Sequence, residues 1–381
     1  MRFLIAQSGG PTAVINSSLV GAIKRAHERG HEIFGGLYGI EGILNSQIVP
    51  LNFSDEELEN ISHTPGAFLG SCRYKLPKEG PEYDRLFKVF KERKIDVFLY
   101  IGGNDSMDAV MKIHEEAERR GLSLIVNGIP KTIDNDLVET DHCPGFVSSA
   151  KFLNTIASEF VIDSTSYSSF SICVMEVMGR DTGWLATSLK YSEKLVSGLK
   201  VLTYIPERPI SEEKMLEDVE KYSDGPLLVV VSEGIRNEKG EYFHFSKEVD
   251  AFGHPKLGGV GEYVSQLLKK IKKVKFVNPS FVQRAASHCV SELDFEEARM
   301  VGSKAVDISE EGKNGVFLAI ERLENDYLSD VKTVEIGKVA NKVKYVSNSF
   351  FEDDEFFWRY FSPLLKELKP FPASPRFFQK K

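Results

Sequence analysis

Apolar residues follow two alternating rhythms along the chain. Predominantly apolar runs at residues 3–6, 95–101, 122–129, 171–178, 227–231 and 316–320 predict short buried strands. Between them, apolar positions recur at helical spacing. Ile15, Leu19, Ile23 and Ala26 share one face, with Pro11 placed for the first helical turn and Gly30 for the far end. Helices are likewise predicted over 84–94, 107–120, 145–160, 260–271 and 294–311. Strands alternating with helices predict an α/β protein with mostly parallel sheets.

The strand ends carry the polar chemistry. Ser8-Gly9-Gly10-Pro11 follows the first run, Gly102-Gly103-Asn104-Asp105-Ser106 the run at 95–101, and Pro130-Lys131-Thr132-Ile133-Asp134-Asn135-Asp136 the run at 122–129. Met178-Gly179-Arg180 and Ser232-Glu233-Gly234 close two later runs. A glycine-rich loop from Phe252-Gly253-His254 to Gly258-Gly259 leads into the helix at 260–271, and Gln283-Arg284 comes after it. Open α/β sheets bind ligands outside the carboxyl ends of their strands. Such clusters in both halves predict two similar Rossmann-like lobes with an active-site cleft between them. The expected division is 1–145 with about 283–333, and 146–282 with about 334–381.

At 381 residues the chain is long enough for two ordinary domains. A net charge of -8 argues against general nucleic-acid binding, while leaving room for a local basic pocket. Cys72, Cys143, Cys173 and Cys289 are widely spaced, which predicts reduced thiols in a cytoplasmic protein and no zinc site. No segment approaches membrane-spanning length. The aromatic-rich tail from Phe350 to Phe361 reads as packing surface.

Glycine turns and arginines bind phosphate oxygens, and aspartates bind magnesium or accept a hydroxyl proton. This inventory suits phosphoryl transfer to a hydroxyl group. A sugar-phosphate-binding protein would use many of the same residues.

In order along the chain, Ser8 to Thr12, Leu69-Gly70-Ser71-Cys72-Arg73, Gly102 to Ser106, Pro130 to Asp136, Met178-Gly179-Arg180, Ser232-Glu233-Gly234 and Gln283-Arg284 resemble the motifs of the 6-phosphofructokinase family. The resemblance runs from about residue 3 to 345. It implies that Asp134 is the general base for the C1 hydroxyl of fructose 6-phosphate. It implies that Thr132 and Asp136 support the transferring phosphoryl group and a Mg2+ ion, and that Arg180 stabilises transition-state charge. Groups in that role contribute on the order of a thousandfold in rate. By the same resemblance Met178, Gly179 and Glu233 meet the sugar, Arg284 its 6-phosphate, and Gly10, Arg73 and Ser106 the donor. A homodimer or homotetramer is implied as well.

Asp105 and Lys131 stand where the ATP-using members typically carry glycines. A carboxylate there repels an α-phosphate, and a lysine neutralises a departing phosphate. The pair resembles the pyrophosphate-dependent branch. Four positions depart from the family pattern. Asn104 replaces a metal-binding aspartate. Lys275 and Ser171 stand where arginines reach a neighbouring subunit's substrate, and Phe281 replaces a polar residue near the 6-phosphate. A lysine keeps charge but loses the bidentate fork. ATP dependence, another acceptor such as sedoheptulose 7-phosphate, and a weakly active or regulatory sugar-phosphate-binding paralogue therefore stay open as readings.

Overall fold

A computed structural model describes residues 1–167, 169–243, 258–323 and 327–374. Its strands are β1 (Arg2–Gln7), β2 (Glu32–Gly36), β3 (Ile48–Pro50), β4 (Val97–Gly102), β5 (Ile125–Pro130), β6 (Ile172–Val177), β7 (Lys200–Tyr204), β8 (Leu227–Ser232), β9 (Val274–Val277), β10 (Val316–Leu323) and β11 (Leu328–Glu335). The chain divides into two compact units. The first holds Met1–Ser148 and Arg284–Lys344; the second holds Ser149–Gln283 and the chain from Tyr345. The last crossing falls after Lys344 rather than near 333, because β11 pairs along its whole length with β10.

The first unit is built on a sheet of order β11-β10-β5-β4-β1-β2-β3. Its interior pairs are parallel, and antiparallel β11 and β3 close the edges. β1, β4 and β5 are buried along nearly their whole length, which explains why they read as predominantly apolar runs. Helices Ile15–Glu28 and Glu292–Glu310 cover one face and cross closely. A Cβ on Gly21 would lie 2.2 Å from the Arg299 carbonyl oxygen, and one on Gly302 would lie 1.9 Å from that of Ser18. Larger residues would therefore force these helices apart. Helix Ile15–Glu28 starts later than expected, and Pro11 precedes it in the loop.

The second unit is built on an all-parallel sheet of order β7-β8-β6-β9. Its core gathers Ile172, Val174, Val229, Val231 and Val264. Rings of Trp184, Phe350, Tyr360 and Phe361 pack together, which is the packing role expected of the aromatic tail. Of the glycine-rich loop, residues 252–257 lie outside the described residues.

Candidate active site

In the first unit the strand order reverses at β1, which is flanked by β2 on one side and β4 on the other. Such a switch point is where strand-end loops diverge and leave room for a ligand. The Ser8 N–H donates to the Ile101 carbonyl (2.9 Å) and the Gly9 N–H to the Cys72 carbonyl (3.2 Å). The Lys131 N–H donates to the Gly102 carbonyl (3.0 Å), so the loops after β4 and β5 are neighbours.

Lys131 is buried, and its ammonium turns toward the first loop. Nζ donates to the Gly10 carbonyl oxygen at 2.5 Å. A Cβ on Gly9 would lie 3.3 Å from Lys131 Nζ, and one on Gly10 would lie 2.9 Å from Arg284 Nη1. Burial pushes the Lys131 ammonium down to about 8; Asp134 and Asp136 pull it upward, while Arg284 and Arg73 press it further down. Arg284 is lowered by burial and then by Arg73, with Asp134 opposing. Three cations and two carboxylates thus act on one another around a glycine turn. The cations repel, and an anion placed among them would relieve that repulsion.

The loop Thr132–Asp136 owes its shape to Asn135, which is left-handed at φ 52°. Asparagine tolerates that region better than most residues. Its Oδ1 accepts from the Cys143 N–H at 3.0 Å. On one side of it, the Asp134 N–H donates to Thr132 Oγ1 at 3.1 Å. On the other, burial raises Asp136 above the usual carboxylate range, against its own amide, the Thr132 hydroxyl and the charges of Lys344 and Lys131. Among the described residues Asp136 Oδ1 is buried with no hydrogen-bond partner, a position that a cation or a proton would satisfy.

One expectation changes here. Asn104 is not turned to a metal: its Oδ1 accepts from the Asn341 N–H (2.9 Å) and its Nδ2 donates to the Lys342 carbonyl (2.6 Å). Asp105 and Lys131 form no ion pair among the described contacts; Asp105 is exposed in the first turn of helix Asn104–Arg119, and Lys131 is buried. Ser106 is buried against Gly102, and Arg73 is exposed. No group of three or more His, Cys, Asp or Glu among the described residues forms a metal cage.

In the second unit, the ends of β6 and β8 lie side by side. The Glu233 N–H donates to the Val177 carbonyl (2.9 Å), the Gly234 N–H to the Gly179 carbonyl (3.1 Å), and Ser232 Oγ to the same Gly179 oxygen (2.6 Å). Gly179 has φ 139°, and a Cβ there would lie 2.4 Å from the Thr182 carbonyl oxygen. Only glycine accommodates both conditions. The Met178 N–H donates to Gln283 Oε1 at 3.0 Å, which ties this strand end to the Gln283 segment. Burial raises Glu233 above the usual carboxylate range; the Gly179 amide and Arg180 oppose, while Glu176 and Asp181 add to the rise.

Lys275 is not with these residues. It pairs across the sheet with Cys173, near the start of β6, about 16 Å along the strand from Met178. Nζ donates to Asp163 Oδ2 at 2.8 Å and lies over the Tyr167 ring. Ser171 is buried just before β6. Phe281 is 65% exposed, in the loop that leads to Gln283. Two residues absent from the sequence reading are prominent here. Lys344 and Asn341 both contact the strand-end loops, yet a lysine and an asparagine in a charged stretch carry no motif.

The phosphofructokinase family profile matches residues 2–309. A pyrophosphate--fructose 6-phosphate 1-phosphotransferase of Halomonas elongata is 36% identical over 380 residues, covering 95% of this chain and 91% of that protein. A sulfofructose kinase of Alkalicoccus urumqiensis is 32% identical over 355 residues, covering 90% of this chain and 89% of that protein. The crystal structure of a pyrophosphate-dependent phosphofructokinase from Marinobacter aquaeolei superposes with a TM-score of 0.85 at 32% identity, covering 98% of this chain and 93% of that one. With the motifs at neighbouring strand ends and the match spanning most of its length, the chain belongs to the phosphofructokinase family.

Proposed function

We propose that this protein transfers a phosphoryl group from pyrophosphate to the C1 hydroxyl of fructose 6-phosphate, reversibly, in glycolysis and gluconeogenesis. The observation that carries the reading is the buried Lys131 ammonium on the Gly10 carbonyl, coupled to Arg73, Arg284 and Asp134. The cation cluster binds the donor, with Gly10 and Ser106 on the same loops. Lys131 neutralises the phosphate that departs. Asp134 takes the proton from the acceptor hydroxyl, and Thr132 keeps the Asp134 backbone in place. In the second unit Met178, Gly179 and Glu233 hold the sugar, and Arg180 stabilises charge on the transferring group. The donor is pyrophosphate because the Asp105 carboxylate repels the α-phosphate a nucleotide would bring, while Lys131 neutralises the phosphate leaving from pyrophosphate. The name of the Halomonas elongata relative supports that donor.

Mg2+ fits the reading through Asp136, whose Oδ1 lacks a partner, and Asn104 is left out of the metal site. Magnesium is usually held by one or two carboxylates together with substrate phosphates, so no protein cage is required. When bound, it would offset charge on the phosphoryl oxygens. The enzyme would act in the cytoplasm as a homodimer or homotetramer; no helix among the described residues is long and apolar enough to cross a membrane.

Arg284 is assigned differently from the family expectation. Its guanidinium lies against Gly10 and is coupled to Arg73, which supports a donor-side role rather than one on the 6-phosphate alone. A second reading concerns the acceptor. Lys275 is ion-paired with Asp163, and Phe281 presents a ring, so recognition of the sugar's phosphate end is weaker in cation chemistry than the family pattern. That favours tolerance of other sugar phosphates. The test supplies purified protein and Mg2+ with pyrophosphate, ATP or ADP, against fructose 6-phosphate and sedoheptulose 7-phosphate. Turnover with pyrophosphate and fructose 6-phosphate is expected; comparable use of ATP would overturn the donor assignment.

A further inference from the structure

We propose that Lys344 is a positioning residue for phosphoryl transfer, its ammonium fixing the loop that presents Asp134 and Asp136. The inference rests on the proposed function for its kinetic part. Between β5 and helix Phe146–Ser164 the chain takes left-handed conformations at Asn135 (φ 52°) and Glu139 (φ 65°). Neither residue belongs to a strand or helix that would fix it.

Lys344 comes to this loop from the segment after β11. Its backbone N–H donates to the Asp136 carbonyl at 2.8 Å. Its Nζ donates to Asn135 Oδ1 (3.2 Å), the Thr140 carbonyl (3.1 Å) and the Asp141 carbonyl (3.0 Å). One residue thus holds the Asn135 side chain, the Asp136 carbonyl that follows it and the far end of the loop. An ammonium suits the task because it offers three donors from one atom and no acceptor. Asn135 Oδ1 also receives the Cys143 N–H, so the Lys344 contact completes a clamp that begins within the loop.

The same segment reaches the loop after β4. The Asn341 N–H and the Lys342 carbonyl bind the Asn104 amide, and Asn341 Nδ2 donates to Asp108 Oδ1 at 2.8 Å. Residues 341–344 therefore tie together the two loops whose adjacency the chemistry needs. Misplacing a reacting group by about 1 Å costs about a hundredfold in rate, so a clamp of this kind acts on kcat more than on substrate binding.

The experiment compares wild type with Lys344→Met, with rates expressed per folded protein as judged by circular dichroism. Lys344→Met is expected to lower kcat by about tenfold to a hundredfold, with KM for both substrates within about threefold. Backbone amide exchange in the peptide 132–143 is expected to accelerate. A variant whose kcat per folded protein stays within about twofold of wild type, or whose KM rises while kcat holds, overturns the proposal. Unchanged exchange in 132–143 also overturns it. If Lys344→Met does not fold, Lys344→Gln, which keeps one polar donor group without the charge, is read in the same way. Failure of wild type to transfer phosphate would count against the proposed function, and the exchange measurement would still decide whether Lys344 fixes the loop.

Discussion

The Lys131 ammonium donates to the carbonyl oxygen of Gly10 across 2.5 Å, and so joins the loop after β5 to the turn after β1. Burial lowers its pKa to about 8. The charged form that attracts pyrophosphate is present below that pH and is lost above it. For pyrophosphate, kcat/KM should therefore fall as pH rises through about 8. A bound anion stabilises the ammonium, so the matching limb in kcat should lie at higher pH. Lys131→Met should remove the limb and lower kcat/KM by about a hundredfold. Steady-state pH profiles of both proteins test this.

Asp134 lies between the Thr132 hydroxyl that receives its N–H and the left-handed Asn135. Replacing its carboxylate removes the proposed base and leaves the second unit's sugar residues intact. Asp134→Ala should lose turnover by about a thousandfold or more, with fructose 6-phosphate binding still measurable by calorimetry. A fully active variant would refute the base assignment.

At Gly179 both the φ of 139° and the Thr182 carbonyl, 2.4 Å from a would-be Cβ, exclude a side chain. Gly179→Ala should destabilise the protein by about 1–3 kcal/mol and raise KM for fructose 6-phosphate. Urea unfolding and kinetics report the two effects separately. A variant with unchanged stability and KM would mean that this strand end relaxes without consequence.

His142 is buried between Asp141 (2.8 Å) and Glu297 (2.7 Å). Burial opposes its charge, yet Glu297 and Asp141 more than compensate, and its pKa rises to about 9. A raised pKa contributes stability that is fully present below the ordinary value of about 6.5 and is lost as pH rises through about 9. Melting temperature should decline across that window in wild type. His142→Gln should start lower at pH 6 and decline less. Equal slopes in the two proteins would show that another group carries the dependence.

Much of this molecule is written locally. Apolar runs such as 95–101 and 227–231 mark strands because both faces of a parallel sheet are buried, and polar clusters mark strand ends because ligand-binding loops must leave the sheet there. Even the left-handed turn at Asn135 is local, since asparagine between two aspartates tolerates it. The motifs Thr132 to Asp136 and Met178 to Arg180 thus made the fold class, the family and the phosphoryl chemistry legible before any coordinates. What a side chain touches was not legible. The sequence placed Asn104 at a metal and Lys131 at the donor without naming what either side chain touches. The fold instead gave Asn104 to the backbone of Asn341 and Lys342, and Lys131 to Gly10. Those partners lie more than a hundred residues away, so no local spacing encodes them. Lys344 is the fullest case. As a sequence it is one lysine among several, and only the return of the chain after β11 sets its ammonium on Asn135, Thr140 and Asp141, because hydrogen bonds between distant segments exist only once the sheet has brought those segments together.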